Sequence, residues 1–225
     1  MKRIVSLVAF LSFAFNFFAS NPVLDNPDNS PFWGVRVGYD WSLPGKWDTP
    51  VGDDIDLFKS GPGVSISGIY NLPVIANLFF EPGLTFYYDQ YAYKDLLITN
   101  EQGGIIDKDP KVIKYGLRIP LVFGYRFDFS DRFSISLFTG PQIGYAFSGK
   151  IKFKNKDKME EPLPEELFGD YGQRRFNIDW NIGSSFEVDY HWQFSIIGSL
   201  GLNDIQKNSI NFKENRVTFA LGYNF

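Results

Sequence analysis

The sequence has no cysteine and a single histidine, His191. Without cysteine the chain can form no disulfide, no thiolate metal site and no cysteine nucleophile. The lone histidine falls in a predicted turn between two strands and has no second histidine beside it to supply a base. We therefore predict a protein that is not an enzyme and that holds no cofactor and no metal.

The chain also lacks a strong charge of either sign and a long internal hydrophobic run. Its 22 Lys and Arg residues against 26 Asp and Glu residues give no basis for nucleic-acid binding. After the N-terminus no segment approaches the roughly 18 consecutive apolar residues of a membrane-spanning helix. A search for long apolar runs does not detect a transmembrane β-barrel, because only alternate residues of its strands face lipid.

The N-terminus, MKRIVSLVAFLSFAFNFFAS, has two basic residues, an apolar run over 4–18 and two small residues at its end. This order is typical of a secretory signal peptide that is removed on export. A membrane anchor is the alternative, but the run is short for a span of roughly 20 residues and a polar stretch follows it. The predicted domains are a signal peptide at 1–20, a short periplasmic segment at 21–30 and a β-barrel domain at 31–225.

What the sequence does have is aromatic residues, 18% of the chain, in an alternating pattern. Residues two apart point the same way in a strand, so alternation with period two predicts strands. One face is bulky and apolar, and the other holds small, polar or charged residues. The pattern recurs in eight segments: FWGVRVGYDWSL, GPGVSISGIYNL, NLFFEPGLTFYYDQY, KYGLRIPLVFGYRFDF, RFSISLFTGPQIGYAFS, RFNIDWNIGSSFEVDY, HWQFSIIGSLGLN and NRVTFALGYNF.

The predicted connections alternate between long and short along the whole chain. An up-and-down outer-membrane barrel has this property, with long loops outside the cell and short turns in the periplasm. We predict an all-β, eight-stranded antiparallel up-and-down transmembrane β-barrel in the cell outer membrane, with both termini in the periplasm. The connections span 43–60, 73–76, 92–111, 129–131, 149–174, 190–191 and 203–214.

The sizes of the two faces indicate which one faces lipid. Small residues suit the interior of a narrow barrel, and large aromatic residues suit an exterior with girdles at both membrane interfaces. The alternative is a soluble, lipocalin-like periplasmic barrel that binds an apolar ligand inside. The predicted girdle residues are Trp33, Trp41, Tyr91, Tyr125, Tyr190 and Trp192.

The last strand ends on an aromatic residue, without a polar tail. This ending resembles the C-terminal signal that the outer-membrane barrel assembly machinery reads. The expected partners are that machinery and the lipid of the outer membrane. The predicted signal comprises Phe219, Leu221, Tyr223 and Phe225.

Isolated charges lie on the inward face and need partners, because an unpaired buried charge is costly. The side chains of a closed eight-stranded barrel just fill its lumen, which predicts an internal ion-pair network that plugs it. A small gated pore for ions or small solutes is the alternative. The predicted network comprises Arg36, Asp40, Glu81, Arg118, Arg126, Asp179 and Glu187, with Asp89 and Asp189 also facing inward.

Two long connections contain charged motifs. In VGDDIDLF, Asp53, Asp54 and Asp56 could ligate Ca²⁺, but they lack EF-hand spacing and a solvated acidic loop is favoured. The loop 149–174 has a basic half, with Lys150, Lys152, Lys154, Lys156 and Lys158, and an acidic half, with Glu160, Glu161, Glu165 and Glu166. We predict a solvated hairpin extension there, with a partner-docking surface as the competing interpretation.

Three segments, FFEPGLTFYY, LRIPLVFGYRF and FTGPQIGYAFSG, resemble the PorT-like outer-membrane β-barrel family of Bacteroidetes. In that family Pro-Gly-Leu, Ile-Pro-Leu and Gly-Pro elements fall on successive strands, and their order and spacing match here over about residues 32–225. The resemblance implies the fold and the location far more than a function. Pro82, Pro120 and Pro141 are predicted on the apolar face, accommodated by a bulge or a shared weak patch.

The founding member of that family is implicated in a protein-secretion apparatus. The sequence therefore predicts a non-enzymatic outer-membrane barrel whose surface loops serve structural or partner-interaction roles, with membership of a secretion apparatus as one form of the hypothesis. Loops 92–111 and 149–174 are the expected contacts with an envelope protein partner.

Overall fold

Eight long antiparallel strands form the fold in the computed structural model of the chain. They are β1 (Phe32–Pro44), β2 (Gly61–Ile75), β3 (Leu78–Tyr93), β4 (Lys111–Ser130), β5 (Phe133–Lys152), β6 (Phe176–Val188), β7 (Trp192–Gly201) and β8 (Glu214–Asn224). The structure describes residues 30–48, 54–94, 98–99, 105–107, 110–130, 132–152, 165–169, 172–189, 191–207 and 211–225.

The strands close on themselves, because β8 pairs with β1 as well as with β7. The closing register runs from Gly34 opposite Asn224 to Pro44 opposite Glu214. The N–H of Phe225 donates to the carbonyl oxygen of Trp33 at 2.7 Å, so the chain is paired to its last residue. The predicted eight-stranded up-and-down barrel is thereby confirmed. No helix in the described ranges is long and apolar enough to cross a membrane.

Short and long connections alternate around the barrel, as predicted. Three connections, 76–77, 131–132 and 189–191, are only two or three residues long and lie at one end, which we call the short-turn end. Ala76 and Asp189 adopt positive φ angles of 49° and 50° in two of these turns. The four longer connections gather at the opposite end, which we call the long-loop end.

Short strand pairs extend the sheet at the long-loop end. Phe58–Lys59 adds to the end of β3, and Glu165–Glu166 adds to the end of β5. Trp47–Asp48 pairs with Asp54–Ile55, and Ile98–Thr99 pairs with Ile105–Asp107. The long connections thus contain ordered β structure in their described parts.

The apolar face points outward and the polar face points inward. Trp33 and Val37 on β1 are each 59% exposed, whereas Arg36 and Asp40 between and beyond them are buried. The same alternation holds along every long strand. A lipocalin-like barrel needs the reverse arrangement, so that alternative is not favoured.

The girdle prediction was wrong for one residue. Trp33, Trp41, Tyr125 and Trp192 are exposed on the outer face, but Tyr91 is buried in the interior. Tyr91 lies an odd number of positions from the outward-facing Tyr88, so the period of the strand turns it inward. Tyr190 lies outside the described residues.

The strands differ in length around the barrel. β4 and β5 have 20 residues each, about twice the 9–11 residues that a tilted strand needs to cross a bilayer. β7 has 10 residues. The sheet therefore projects beyond the hydrocarbon region on the β4–β5 side.

Pro82, Pro120 and Pro141 interrupt the ladder without shifting its register. Pro82 and Pro141 face outward, but Pro120 lines the interior, so its predicted place on the apolar face was wrong. It lies between the outward-facing Ile119 and Leu121, and the period of two turns it inward. Pairing lapses beside each proline and resumes in the same register, which fits the predicted weak patch. The three register shifts in the ladders between the eight barrel strands lie at other positions, between Pro73 and Ile75, Phe133 and Ser134, and Ala146 and Ser148.

The outward face of β8 provides a test of the inside–outside assignment. Leu221 is 56% exposed, and an arginine there should cost about 2–4 kcal/mol near the bilayer midplane. Leu221→Arg should therefore impair folding, measured by heat-modifiable migration on gels with membrane fractionation. Ala220→Ser, the control, faces the interior cavity and should fold normally. A folded Leu221→Arg with a misfolded Ala220→Ser would mean that the faces are swapped.

Candidate functional site in the barrel lumen

Alternation directs charged side chains from most strands into the lumen, where they form two layers. The first layer lies toward the short-turn end and is centred on Arg36 of β1. Its guanidinium contacts Glu81 of β3 through two contacts of 2.7 and 2.9 Å, and its Nε donates to Gln193 at 2.7 Å. Asn71 donates to the same Glu81 carboxylate at 3.1 Å. The bonds of Arg36 join strands that are not neighbours, since β2 lies between β1 and β3 and β8 lies between β1 and β7.

Glu187 continues this first layer on the other side of the barrel. Gln193 donates to it at 3.1 Å, and Arg126 of β4 lies 3.5 Å from it. The Arg126 guanidinium also lies over the rings of Phe32 and Phe79, at 5.4 and 5.7 Å from their centroids. The first layer therefore joins six of the eight strands.

The second layer lies toward the long-loop end and is centred on Arg118 of β4. Arg118 is buried, contacts Asp89 of β3 closely, and lies 3.4 Å from Asp40 of β1. Its guanidinium stacks on the ring of Tyr87 with 3.6 Å to the centroid. Thr218 of β8 donates to the other oxygen of Asp40.

Asp179 of β6 anchors the remaining part of the second layer. Arg216 of β8 lies 3.6 Å from it, and Gln142 of β5 donates to it at 2.9 Å. Asn181 donates to Gln142 at 3.2 Å, and Ser199 donates to Asn181 at 2.8 Å. A continuous hydrogen-bonded chain therefore runs from β5 through β6 to β7 and β8.

The prediction was wrong for one inward charge, Asp189, and it missed several residues that take part in the network. Asp189 does not face inward, because its positive φ places it in a tight turn where it is largely exposed. Lys114 forms a close ion pair with Glu214, and Arg216 pairs with Asp179. The alternating pattern alone could have identified Lys114 and Arg216, because each lies an even number of positions from other inward-facing residues of its strand. The other unpredicted polar members are Asn71, Gln142, Asn181, Gln193 and Ser199.

A cavity of about 60 Å³ separates the two layers. Both Arg36 and Arg118 line it, together with the apolar side chains of Val122 and Phe138. A buried water needs roughly 10–15 Å³ of such space, so about four waters fit. A volume of this size does not accommodate a ligand larger than a few atoms.

An apolar cluster, which we call the apolar cap, closes the lumen above the second layer. It joins inward-facing strand ends, such as Tyr91 and Val112, to residues from the long connections, such as Phe212. Gly149 allows this approach, because a Cβ there would lie 2.8 Å from the Leu167 and Phe168 side chains. The cap comprises Phe58, Tyr91, Val112, Ala146, Leu167, Phe168, Ile205 and Phe212.

One buried polar bond fixes the cap to the strands. Gln173, from the connection between β5 and β6, donates to the hydroxyl of Tyr91 at 2.8 Å. Phe212 and Val112 are fully buried in the same cluster. The predicted solvated loops therefore contribute a hydrophobic core in their described parts, which no local sequence pattern indicates.

The predicted loop motifs are described only in part. Asp53 and the side chain of Asp54 lie outside the described residues. Asp56 accepts a hydrogen bond from Lys94 at 2.8 Å, which lowers the pKa of the Asp56 carboxyl below its ordinary value. Among the described residues no group of three or more potential ligands could hold a metal ion.

The basic and acidic halves of the longest loop meet at its base. Lys150 lies opposite Glu166 in the register, and Glu166 accepts a bond from Arg175 at 3.0 Å. The rest of the loop, 153–164, lies outside the described residues, as does the Glu165 side chain. His191 is exposed in a short turn, where its ring packs 5.4 Å from that of Tyr223.

A family model described as an outer membrane protein beta-barrel domain matches residues 5–207. The chain belongs to this family. It is therefore an outer-membrane β-barrel protein, in agreement with its closed sheet and outward apolar face. No curated protein matches the chain.

Several solved structures of outer-membrane proteins are similar to the chain. Ail, the attachment invasion locus protein of Yersinia pestis, in complex with the heparin analogue sucrose octasulfate, shares 14% identity over 87% of this chain and 99% of that one, with a TM-score of 0.44. Neisserial surface protein A shares 10% identity over 86% and 97%, with a TM-score of 0.46. OprG from Pseudomonas aeruginosa shares 10% identity over 88% and 97%, with a TM-score of 0.39.

The second layer provides a test of the lumen network. Arg118→Ala leaves Asp40 and Asp89 buried without their cation, and breaking one side of a buried pair costs roughly 3–5 kcal/mol. The midpoint of thermal unfolding in detergent should fall accordingly, measured by heat-modifiable migration. Arg132→Ala, the matched control, removes a cation that is 79% exposed in a short turn and should change little. An unchanged midpoint for Arg118→Ala would show that Arg118 is solvated.

Proposed function

We propose that this protein is a non-enzymatic outer-membrane barrel that does not conduct and whose long connections present a structural or partner-binding surface outside the cell. The observation that carries the proposal is the obstruction of the lumen at three successive levels. The two ion-pair layers and the apolar cap each span its cross-section. A channel would need a polar path through all three.

The energetics of the layers argue against the alternative of a small gated pore. An ion entering the lumen would have to displace Arg118 from Asp40 and Asp89, which would leave buried charges unpaired. It would then have to cross the apolar cap without water.

The long connections are suited to binding a partner because a rigid scaffold holds them. Loops on rigid scaffolds commonly carry function, and the apolar cap fixes the bases of three connections here. The proposal assigns contact with an envelope protein partner to the loops 92–111 and 149–174. Crosslinking in intact cells followed by mass spectrometry tests this assignment.

The finer family relationship is also part of the proposal. The Pro-Gly-Leu, Ile-Pro-Leu and Gly-Pro elements support kinship with the PorT-like barrels of Bacteroidetes, and with it a place in a secretion apparatus. Pro82, Pro120 and Pro141 lie on three successive strands, β3, β4 and β5, within one patch of interrupted pairing. Copurification of secretion components with the solubilised barrel tests this membership.

Export and assembly complete the proposal. Residues 1–20 act as a cleaved signal peptide and 21–30 as a short periplasmic segment, although 1–29 lie outside the described residues. The proposed assembly signal has all four side chains, Phe219, Leu221, Tyr223 and Phe225, exposed along the outer face of β8. They can therefore be read before the sheet closes, and the same gel assay on cells producing a chain without Phe225 tests that role.

The absence of conductance is the expected result for the purified protein. Wild-type protein inserted into a planar bilayer should produce no current steps above the bare-bilayer level, because no level of the lumen is open. A known porin recorded under the same conditions controls for insertion. Reproducible steps from protein that migrates as a folded barrel would contradict the proposal and favour the gated pore.

The orientation of the barrel is tested by the accessibility of its two ends. An epitope inserted between 155 and 160, in the longest connection, should be reached by antibody on intact cells. The same epitope in the tight turn at 131–132 should be reached only after the outer membrane is opened. The opposite pattern would place the long-loop end in the periplasm.

A further inference from the structure

A row of lysines crosses the outer surface of the sheet at the long-loop end. Lys59 lies opposite Ala92, Ala92 lies opposite Lys111, and Lys111 lies opposite Lys152 in the register. These residues therefore lie side by side around the barrel wall. Lys150, two residues before Lys152, points the same way. All four side chains are exposed, and we call the set Lys59, Lys111, Lys150 and Lys152 the lysine row.

The register places like charges next to one another in this row. Lys111 and Lys152 are directly opposed on β4 and β5, and like charges in that position destabilise a sheet. Glu166 is the carboxylate that the register places opposite Lys150. It already binds Arg175 at 3.0 Å, so its charge is shared. Among the described residues, Lys111, Lys150 and Lys152 therefore concentrate positive charge that an anion would stabilise.

The position of the lysine row along the bilayer normal, relative to the aromatic girdle, indicates which anion it can bind. Tyr115 and Tyr88 are paired outward-facing aromatics on β4 and β3, and such girdles mark the interface of the membrane. Lys111 lies four residues beyond Tyr115, which is about 13 Å along the strand and roughly 9 Å along the bilayer normal at a tilt near 45°. Lys150 pairs with Ile113, which lies halfway between them.

This height matches the polar part of a bilayer. The headgroup region is roughly 5–8 Å thick on each side of the hydrocarbon core. Lysine side chains bend toward the interface while their stems cover apolar surface. The ammonium groups of Lys111, Lys150 and Lys152 can therefore reach the level of lipid phosphates.

We propose that the lysine row binds the phosphate groups of lipid headgroups in the leaflet at the long-loop end. In the orientation given under the proposed function, on which this inference rests, that is the outer leaflet. Lysine binds phosphate as a point charge, and basic residues close to an anionic membrane surface strengthen attachment to it. An acidic polypeptide would have to enter the headgroup layer to reach Lys150, which makes a lipid the favoured occupant.

The experiment compares lipid binding by row variants with binding by a matched control. Folded protein is placed in symmetric nanodiscs of phosphatidylcholine that contain either lipid A with both phosphates or dephosphorylated lipid A, and retained lipid is measured by native mass spectrometry. The test variant is Lys111→Gln/Lys152→Gln. The control is Lys46→Gln/Lys213→Gln, which removes the same charge from a surface pocket shared with Asp204 on the β1–β8 side.

Wild type and control should retain phosphorylated lipid A more tightly than the dephosphorylated form. The row variant should lose this preference, with an affinity reduced on the order of 30-fold, because each lysine near an anionic surface contributes about fivefold. High salt should weaken the wild-type preference. Unaltered migration on the heat-modifiability gel shows that the variants, which change exposed side chains, are folded.

Three results would overturn the inference. The row variant could bind phosphorylated lipid A as tightly as wild type, or the control could lose as much as the row variant. Inorganic phosphate at millimolar concentration could displace the lipid completely, which would indicate a simple anion site. Symmetric nanodiscs carry lipid A in both leaflets, so none of these results depends on the barrel orientation or on conductance, and failure here is distinct from failure of the proposed function.

Discussion

The pairing of Arg118 with Asp40 and Asp89 is the contact on which the interior depends. A closed sheet leaves its inward side chains little solvent and no second layer, so an inward charge must find its partner within the lumen. Here each central cation meets carboxylates from other strands, and some of these strands are not neighbours. The correct register of all eight strands is therefore required before the charges match.

The apolar cap fills the interior of the barrel at the long-loop end, where the ion-pair layers do not reach. β4 and β5 extend beyond the hydrocarbon core to the level of the headgroups, where the inner face of the sheet would form an open tube. Phe212, Phe168 and Phe58 fill that tube from three different connections and give it a hydrophobic core. The result is a barrel with an apolar exterior in the membrane, a charged interior at the same height, and an ordinary core above it.

The period of two in the sequence was enough to predict the strands, their order and their inward and outward faces. The predictions for Tyr91 and Pro120 were wrong because the period of two was not applied to them. Counted from their outward-facing neighbours, both residues face inward. It could not pair Arg36 with Glu81 and Gln193, because partners across a lumen depend on the register of strands far apart in sequence. The apolar cap could not be predicted either, since Leu167 and Phe212 belong to no periodic segment.

Residues from several long connections pack together in the apolar cap, so these connections cannot evolve independently of one another. Surface loops of barrels usually diverge freely, because each one ends in solvent. Leu167, Ile205 and Phe212 come from two different connections yet occupy one core, so a change of size in one must be matched in the other. The segments of these connections that enter the core should therefore vary together.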